Sequence, residues 1–441
     1  MTSRRPLLTF YGDDFTGSAD LVLQYQRFGL QGKIFLGDPS REELQAAAAE
    51  FSVVGVAGVT RALGPEEISA AIEPALRALV ALEPDFMQYK VCSTADSSPT
   101  IGSFAPAIRI GRELCGDRPV PVLVAQPGLG RYTVFSNHFA VDRGQVYRLD
   151  RQPVMSKHPV TPMTESDLRM HLALQIDGPI GAVTLTELHG ADGGESSYRK
   201  AQDDNLVAVI VDALTEDDLR KAGELFMKGG RAPVFGIGSG GFSVAVARAL
   251  GFTEGAVSSR LTAMAGPCLA VSGSCSPLTS DQIRYALAHG WHGIPLDVGE
   301  TSATPGSALQ QAADEALAQL REGRNVVIYT CGDDRQMIGA PVSVTHLADA
   351  LAFAVIYCAE RTLLSRVLIA GGDTSGHVVM ALGATAMTSK SPVGKHTLLC
   401  ELEAENEAIN GLEVVLKGGQ IGGEDFFEFV RIGDWGQHEQ R

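Results

Sequence analysis

Short apolar runs alternate with helical stretches along the first half of the chain. The pattern predicts buried strands over residues 7–11, 33–36, 53–56, 86–89 and 120–125, with helices over 41–50 and 66–82. The same rhythm returns as a strand over 207–212, a helix over 216–228 and a strand over 234–237. This alternation is typical of a parallel sheet with helices on its faces, in which ligands lie beyond the carboxyl ends of the strands.

The second half of the chain repeats the alternation after a shift in composition. Residues 126–192 contain prolines and polar turns that interrupt any period, and the sequence becomes rich in Gly, Ser and Ala after about residue 250. Further elements are predicted over residues 268–272, 282–288, 310–321, 326–330, 348–364, 367–370 and 414–417. We therefore expect an α/β protein of two domains, 1–250 and 266–441, each with a largely parallel sheet flanked by helices, and a linker over about 251–265.

The composition argues against several classes of function. The chain has 441 residues and carries 36 Lys and Arg against 52 Asp and Glu, a net charge of −16, without a basic patch that would bind nucleic acid. No apolar run approaches the roughly 20 residues of a membrane-spanning helix. The seven cysteines form no C-x-x-C pair, so we expect thiols and a cytoplasmic location rather than a disulfide framework or a zinc site. A homodimer is the expected assembly, because it is common among soluble enzymes.

Two adjacent carboxylates follow the first predicted strand, in the segment YGDDFTGS over residues 11–18. At a strand end that faces the ligand crevice, Asp13 or Asp14 could orient or deprotonate a substrate hydroxyl. The alternative is that Asp14 or Thr16 caps the following helix, as at many such turns. Neighbouring side chains of an extended chain point in opposite directions, so we expect one aspartate to face the substrate and the other to be structural.

Two further clusters in the first half carry cations at strand ends. Lys90, with the hydroxyls of Ser93 and Thr94, could bind an anionic group on a small molecule, or could be a solvated lysine. Arg131 follows the strand predicted over 120–125 and could pair with a substrate carboxylate through two hydrogen bonds, or form a surface ion pair.

Three glycine-rich loops in the second half each follow a predicted strand. They are VSGSCS at residues 271–276, IAGGDTSG at 369–376 and KGGQIGG at 417–423. Glycines let backbone N–H groups approach phosphate oxygens, and a helix N-terminus adds a favourable dipole. Three such loops in one domain favour a phosphate-bearing ligand, and because the chain lacks a Walker A motif we expect a nucleotide site of another type.

The segment GIGSGG at residues 236–241 leaves two other functions open. It matches G-x-G-x-x-G between a strand and a helix, as in an NAD(P)-dependent oxidoreductase, although no acid follows about 20 residues later. Close packing of a helix on a strand explains these glycines equally well. A non-catalytic nucleotide or metabolite sensor is a further alternative.

Taken in order, these segments resemble the four-carbon acid sugar kinase family, which phosphorylates threonate, erythronate or 3-oxo-tetronate with ATP. The resemblance covers nearly the whole chain, through residues 12–17, 90–94, 130–131, 159–162 with 167, 272–276, 371–376 and 417–427. It implies an acid-sugar-binding domain over 1–250, a nucleotide-binding domain over 266–441 and an active site in the cleft between them. Small-molecule acid sugar and ATP are then the expected partners.

The resemblance also implies roles for individual residues. ATP would contact Ser274, Gly371, Gly372, Asp373, Thr374, Gly418, Gly419 and Gly422, and the acid sugar would contact Asp13, Asp14, Lys90, Ser93, Thr94 and Arg131. Mg²⁺ would accompany ATP, since phosphoryl transfer rests on positioning and charge. Asp14 is the first candidate for the residue that receives the hydroxyl proton, and Asp373 is the second candidate or a ligand of Mg²⁺.

The chain departs from the family pattern in two loops. Cys92 stands where the family usually has an Asp, in a K-I-D-S-T motif, and the Arg-Gly pair that usually follows is absent. The loss of a carboxylate and a guanidinium should change which acid is accepted. A branch of the family acts on the branched acid 3-oxo-isoapionate, and both branches remain open here. Asp373 replaces a Glu, which keeps the charge.

Overall fold

A computed structural model of the protein describes residues 5–228, 233–255, 261, 263, 266–299, 307–331, 337–339, 342–394, 397–419 and 421–433, without the side chain of Asp373. The chain divides into two units, Met1–Gly255 and Ala256–Arg441. Each unit alternates strands and helices, and the predicted fold class is confirmed.

The first unit is built on strands whose central members, Leu8–Gly12 and Phe86–Lys90 among them, are buried on both faces. Its strands are β1 (Leu8–Gly12), β2 (Gly32–Phe35), β3 (Val53–Ala57), β4 (Phe86–Lys90), β5 (Val120–Leu123), β6 (Arg131–Val134), β7 (Asn137–Asp142), β8 (Gln145–Arg148), β9 (Ile180–Val183), β10 (Ala208–Val211) and β11 (Val234–Gly238). Its helices are α1 (Phe15–Gln26), α2 (Arg41–Glu50), α3 (Pro65–Val80), α4 (Ala105–Cys115), α5 (Leu168–Ala173), α6 (Leu185–Leu188), α7 (Glu195–Asp203), α8 (Glu216–Lys228) and α9 (Gly240–Ala249).

The main sheet of this unit is parallel, in the order β2-β3-β1-β4-β11-β5-β10-β9. Every residue of β1 and β4 is buried, as expected for central strands with helices on both sides. Helix α1 packs beside α9, which packs on α8, while α3 packs beside α4. The carboxyl ends of β3, β1 and β4 therefore lie next to one another.

The region over 126–192, for which the sequence predicted no regular element, holds a small antiparallel sheet in the order β6-β7-β8. Its strands escaped prediction because they are short and partly exposed, so they show no continuous apolar run. The predicted helices over 41–50 and 216–228 coincide with α2 and α8. Ser40 and Glu43 form a capping box at the start of α2, which explains its sharp beginning.

The second unit continues the βα alternation and ends in antiparallel strands. Its strands are β12 (Leu269–Ser272), β13 (His292–Pro295), β14 (Val326–Tyr329), β15 (Arg366–Ala370), β16 (Ala384–Val393), β17 (Thr397–Ala404) and β18 (Glu413–Lys417). Its helices are α10 (Pro277–Ala288), α11 (Ala308–Arg321), α12 (Val344–Ala359), α13 (Gly372–Ala381) and α14 (Phe426–Ile432). The order is β13-β14-β12-β15-β18-β17-β16, with β16 and β17 antiparallel to their neighbours.

The sequence missed β13, β16, β17 and α14 in this unit. Strand β16 alternates buried and exposed residues and contains Thr, Ser and Lys, so no apolar run marks it. Helix α10 begins five residues before the predicted start, because Ser276 caps it and Pro277 occupies the first turn. Phenylalanines of α14 pack with Trp291 in the core of the unit.

Two further expectations can be compared with the structure. Across the described residues, none of the helices combines the length and apolar character that crossing a bilayer requires. The expectation that the cysteines are thiols is wrong for one pair, because Cys275 and Cys331 form a disulfide. Their Cα atoms lie 5.3 Å apart. Cys275 follows β12 and Cys331 follows β14, and these two strands are neighbours in the sheet. Sequence spacing could not show this proximity.

Candidate functional site

The two aspartates that follow β1 contact an arginine from the segment that follows the neighbouring strand β3. Arg61 lies in a short 3-10 helix, Thr60–Ala62, directly after β3. Its Nη2 and Nε donate to the two oxygens of Asp13, at 2.7 and 3.1 Å, and its Nη1 donates to Asp14 Oδ2 at 2.9 Å. One guanidinium therefore holds both carboxylates at the carboxyl edge of the sheet.

The two aspartates differ in how deeply their side chains are buried. The side chain of Asp13 is 4% exposed, whereas that of Asp14 is 22% exposed. Burial raises the pKa of Asp13 to about 6, against the opposing effect of Arg61. Burial also disfavours the charge of Arg61, but Asp13 and Asp14 raise its pKa well above the usual value and keep it charged. Asp14 is the carboxylate that a ligand can reach.

Asp14 is also the N-cap of α1, which confirms the capping alternative, while its contact with a substrate stays a prediction. Its Oδ1 accepts a hydrogen bond of 2.8 Å from the N–H of Gly17, and its backbone is extended, as an N-cap requires. Because a carboxylate has about four acceptor positions, these contacts leave room for a substrate hydroxyl. The cap and Arg61 together fix the direction of the carboxylate.

Lys90 lies at the end of β4, on the other side of β1, and is 3% exposed. Its Nζ donates to the carbonyl of Val91 at 3.1 Å and lies 3.6 Å from Asp20 Oδ2. Asp20, in the second turn of α1, also accepts from Gln24 at 2.8 Å. The structure therefore brings Asp13, Asp14 and Lys90 to one edge, as the sequence predicted for strand ends.

The loop after β4 is held by internal hydrogen bonds. Thr94 Oγ1 donates to Asp96 Oδ1 at 2.7 Å and lies 2.9 Å from Cys92 Sγ. His138 Nε2 contacts the carbonyl of Ser93 at 2.8 Å, which ties the loop to β7. The Thr94 hydroxyl is thus already engaged within the loop, whereas Ser93 shows only its backbone carbonyl in a described contact.

Burial disfavours the charged forms of Cys92 in this loop and of His138 and His171, which lie against it. It lowers the pKa of His138 and of His171 to about 4 and raises the pKa of the Cys92 thiol to about 11. His171 Nε2 lies 2.9 Å from Ser97 Oγ, and Gln175 donates to the same hydroxyl at 2.9 Å. The loop is therefore held by hydrogen bonds that include the Asp96 carboxylate, and it carries a thiol where the family pattern has another carboxylate.

Arg131 begins β6, and its guanidinium turns back onto its own turn. Its Nη1 donates to the carbonyls of Leu129, Gly130 and Val141 at 3.0 to 3.4 Å. The Nε of Arg131 is buried and has no hydrogen-bond partner among the described residues. Burial lowers the pKa of Arg131, although Cys92 and Asp96 oppose this. In this conformation the fork of donors is only partly available for a carboxylate.

In the second unit, the three glycine-rich loops come together. They follow β12, β15 and β18, which are neighbours in the sheet. The N–H of Gly273 donates to the carbonyl of Ala370 at 3.0 Å, and the N–H of Gly371 donates to the carbonyl of Lys417 at 2.9 Å. A Cβ on Gly273 would lie 2.8 Å from Thr374 Cγ2. The loops therefore form one surface at the carboxyl edge of this sheet.

A hydroxyl cluster binds the first and third loops to the start of α10. Ser274 and Ser276 both contact Thr279 Oγ1, at 3.1 and 2.9 Å. Ser276 Oγ donates to the carbonyl of Gly419, and Thr279 Oγ1 lies 3.3 Å from the same oxygen. Lys417 Nζ donates to Thr279 Oγ1 at 3.0 Å. Ser274 and Gly419, both predicted to contact ATP, therefore belong to one network.

The predicted nucleotide residues differ in what surrounds them. Gly372 opens α13, and a Cβ there would meet nothing within 4 Å, so a ligand can approach its backbone. Gly418 would place a Cβ 3.1 Å from Ile421. Gly422 has φ of +89°, and a Cβ there would lie 2.4 Å from the ring of Phe426, so this glycine is required by the turn and by packing. The side chain of Asp373 lies outside the described residues.

Packing accounts for the glycines over 236–241. A Cβ on Gly241 would lie 1.9 Å from the carbonyl oxygen of Ala125, and one on Gly238 would lie 2.4 Å from that of Leu123. The N-terminus of α9 is therefore pressed against the strand beside it, at a distance that only glycine permits. Close packing, which was the alternative to a dinucleotide site, therefore explains these glycines.

Several residues of these edges were missed by the sequence patterns. Arg61 lies a few residues beyond a predicted strand, but nothing local connects it with Asp13 or Asp14. Asp20 and Thr279 looked like ordinary helical residues. Among the described residues, no group of three or more His, Cys, Asp or Glu side chains is arranged to hold a metal ion.

Comparisons with known proteins agree with this division of the chain. A family model for a sugar-binding N-terminal domain matches residues 8–246, and one for a nucleotide-binding C-terminal domain matches residues 269–427. A 3-oxo-isoapionate kinase from Paraburkholderia graminis is 36% identical, over 97% of this chain and 94% of that protein. A 3-oxo-tetronate kinase from Methylobacterium radiotolerans is 28% identical, over 94% of this chain and 96% of that protein.

A solved structure shares the fold. The crystal structure of protein HI1011 from Haemophilus influenzae is similar with a TM-score of 0.74 at 21% identity. The match covers 96% of this chain and 99% of that one.

Proposed function

The chain belongs to the four-carbon acid sugar kinase family, and on that premise we propose that it transfers the γ-phosphoryl group of ATP to a hydroxyl of a small sugar acid. The observation that carries the proposal is the presence, in one chain, of two sheet edges with different chemistry, one in each unit. One has two carboxylates held by Arg61, beside Lys90, and the other has three glycine-rich loops on neighbouring strands. The charged side chains of the first edge suit a polar acid, and the glycine-rich loops of the second edge suit phosphates.

The proposed reaction needs little covalent chemistry from the protein. The substrate hydroxyl oxygen forms a bond to the γ-phosphorus while the bond between that phosphorus and the bridging oxygen of ADP breaks. The hydroxyl proton passes to Asp14, which is the accessible carboxylate of the pair and is oriented by Gly17 and Arg61. The products are the phosphorylated acid and ADP. The active-site cleft between the two domains stays a prediction.

ATP would bind on the second unit. Gly372 at the N-terminus of α13, Thr374, and the loop of Gly418 and Gly419 would offer N–H and hydroxyl donors to the phosphates. Magnesium usually binds through one or two carboxylates together with substrate phosphates, so it would arrive with the nucleotide. Asp373 remains the candidate ligand of Mg²⁺.

The branched acid 3-oxo-isoapionate is our first candidate for the substrate. The relative that carries this name is more similar to the chain, at 36% identity, than the 3-oxo-tetronate kinase at 28%. Cys92, a neutral thiol in place of the usual Asp, removes one negative charge beside Arg61 and alters the pocket for a hydroxylated acid. The expected homodimer stays a prediction.

The decisive experiment measures ADP release with a panel of acids. Purified protein with ATP and Mg²⁺ is tested on 3-oxo-isoapionate, 3-oxo-tetronates, threonate and erythronate, with kcat/KM compared across the panel. We expect the highest value for 3-oxo-isoapionate. Protein that is folded and binds ATP but turns over none of these acids would contradict the proposed activity.

The variant Cys92→Asp tests the choice of substrate. Restoring the carboxylate should lower kcat/KM for 3-oxo-isoapionate relative to the 3-oxo-tetronates, because the pocket regains a charged acceptor. The control Cys92→Ser keeps a neutral group of similar size and should preserve the ranking. If Cys92→Asp leaves the ranking of kcat/KM values unchanged, Cys92 does not determine which acid is preferred.

A further inference from the structure

Lys417, at the end of β18, is a buried cation that the proposed function does not yet use. Its side chain is fully buried, and within the described residues it forms no ion pair. Its Nζ donates to Thr279 Oγ1 and to the carbonyl of Gly418, both at 3.0 Å. An ammonium that is removed from water without an opposite charge is unfavourable, so such groups usually serve a charged partner.

The hydrogen bond to Gly418 orients the next backbone donor. In a trans peptide the C=O and the following N–H point in opposite directions. Because the Gly418 carbonyl is turned towards the ammonium, the N–H of Gly419 is turned away from it. In the described part of the chain this N–H donates to no acceptor. Gly419 itself stands beside Ser274, at the junction of two glycine-rich loops.

We propose that Lys417 is the positioning residue of the phosphate subsite for a nucleoside di- or triphosphate. Its ammonium fixes the orientation of the peptide group between Gly418 and Gly419, which presents the Gly419 N–H. It also supplies positive charge from the buried side of the loops. It acts through Thr279 and the backbone, since it is too deeply buried to touch a ligand in this conformation. The inference rests on the proposed nucleotide site of the second unit and names the source of its charge.

The protonation of Lys417 offers a direct readout. Burial lowers the pKa of this ammonium to about 8. Among the described side chains and carbonyls, the groups that face it are the Thr279 hydroxyl and the Gly418 carbonyl, with Ser274 and Ser276 beyond them, and none of these titrates near that pH. A bound polyphosphate should raise the pKa, so binding at pH 8 should take up about half a proton per site.

The test is calorimetric titration of the full chain with ADP at pH 8, in buffers of different ionisation enthalpy. For the wild type we expect proton uptake. For Lys417→Met we expect no uptake and a Kd about 10- to 100-fold higher, as for the loss of a charge-assisted interaction. The matched control Lys390→Met removes an exposed lysine of the same unit and should change neither quantity.

A second variant separates positioning from a general loss of structure. Thr279→Val keeps the ammonium but removes the hydroxyl that it holds, so Kd should rise less than in Lys417→Met and proton uptake should remain. In both variants KM for ATP should rise while KM for the acid stays the same. If Lys417→Met binds ADP as tightly as the wild type, or takes up as many protons, the inference is wrong while the proposed function stands. If the wild type binds neither ADP nor ATP, both fail.

Discussion

Arg61 Nη1 lies 2.9 Å from Asp14 Oδ2, while the Nη2 of the same guanidinium lies 2.7 Å from Asp13 Oδ1. The two aspartates are adjacent in sequence, and the arginine is 47 residues from Asp14. Without Arg61, two neighbouring carboxylates would repel each other at a mostly buried edge. The arginine therefore makes the paired aspartates compatible with a folded protein and orients the one that a substrate can reach.

Replacing Arg61 should impair both stability and substrate binding. For Arg61→Met we expect the free energy of unfolding to fall by about 2–3 kcal/mol, less than for a fully buried pair because a quarter of the side chain is exposed. KM for the acid should rise, and Kd for ADP should stay the same. Denaturant unfolding and steady-state kinetics measure these effects. Arg77→Met, which removes an exposed pair with Glu73, should leave all three unchanged.

The raised pKa of Asp13 predicts a specific dependence of stability on pH. Its pKa is about 6 in the folded protein, against a reference value of 3.8. The folded state therefore binds the proton more tightly, so this group favours folding below about pH 4 and loses that contribution as the pH rises to about 6. The difference in unfolding free energy between wild type and Asp13→Asn should change by about 3 kcal/mol across that window. A difference that is constant with pH would contradict the assignment.

Asp14→Asn separates the chemical role of this residue from its structural one. Asparagine caps a helix about as well as aspartate, so α1 should remain intact. Tm should fall modestly, because Arg61 loses the charge of one of its two partners. The amide cannot take the hydroxyl proton, and kcat should fall by about 10²- to 10⁴-fold while Kd for ADP stays the same. Asp85→Asn, at a surface pair with Arg5 in the same unit, should keep full activity. Unchanged turnover in Asp14→Asn would favour a base elsewhere, or the non-catalytic sensor.

Gly372→Ala distinguishes a glycine that admits a ligand from one required by packing. A methyl group at this position meets no atom of the protein within 4 Å, so the unfolding free energy should change by less than about 0.5 kcal/mol. Kd for ADP should nevertheless rise about tenfold or more, because the methyl group would occupy space near the phosphates. Gly266→Ala, which is equally open in the same unit, is the control. Equal ADP affinity in both variants would place the phosphates elsewhere.

The local patterns were sufficient for most of the parallel strands and for the polar groups that follow them. The central strands of the first unit are mostly apolar, although β1 contains Thr9 and β4 contains Gln88, and the polar groups at strand ends followed from where these runs stop. The prediction of Asp13, Asp14 and Lys90 at one edge required only that β1 and β4 be parallel neighbours, as they are. The antiparallel strands β16 and β17 escaped because strands with an exposed face show no apolar run.

The meaning of the glycines depended on packing that no local pattern records. Gly372 and Gly422 look alike in sequence, yet one faces open space and the other lies against Phe426. The glycines over 236–241 match a dinucleotide motif, but Gly241 is explained by its approach to Ala125. Whether a missing side chain makes room for a ligand or for another segment is a property of the neighbours in space.

Sequence periodicity and strand-end chemistry thus determined the fold class, the pair of aspartates and the three glycine-rich loops, because these features are encoded in contiguous residues. The partners of those residues were decided by the strand order. Arg61 reaches Asp13 because β3 pairs with β1, and Lys417 reaches Thr279 because its strand is joined through β15 to the strand that precedes α10. Charges that balance or position a site can lie anywhere along the chain, since electrostatic interaction depends on distance in space and on burial rather than on sequence separation.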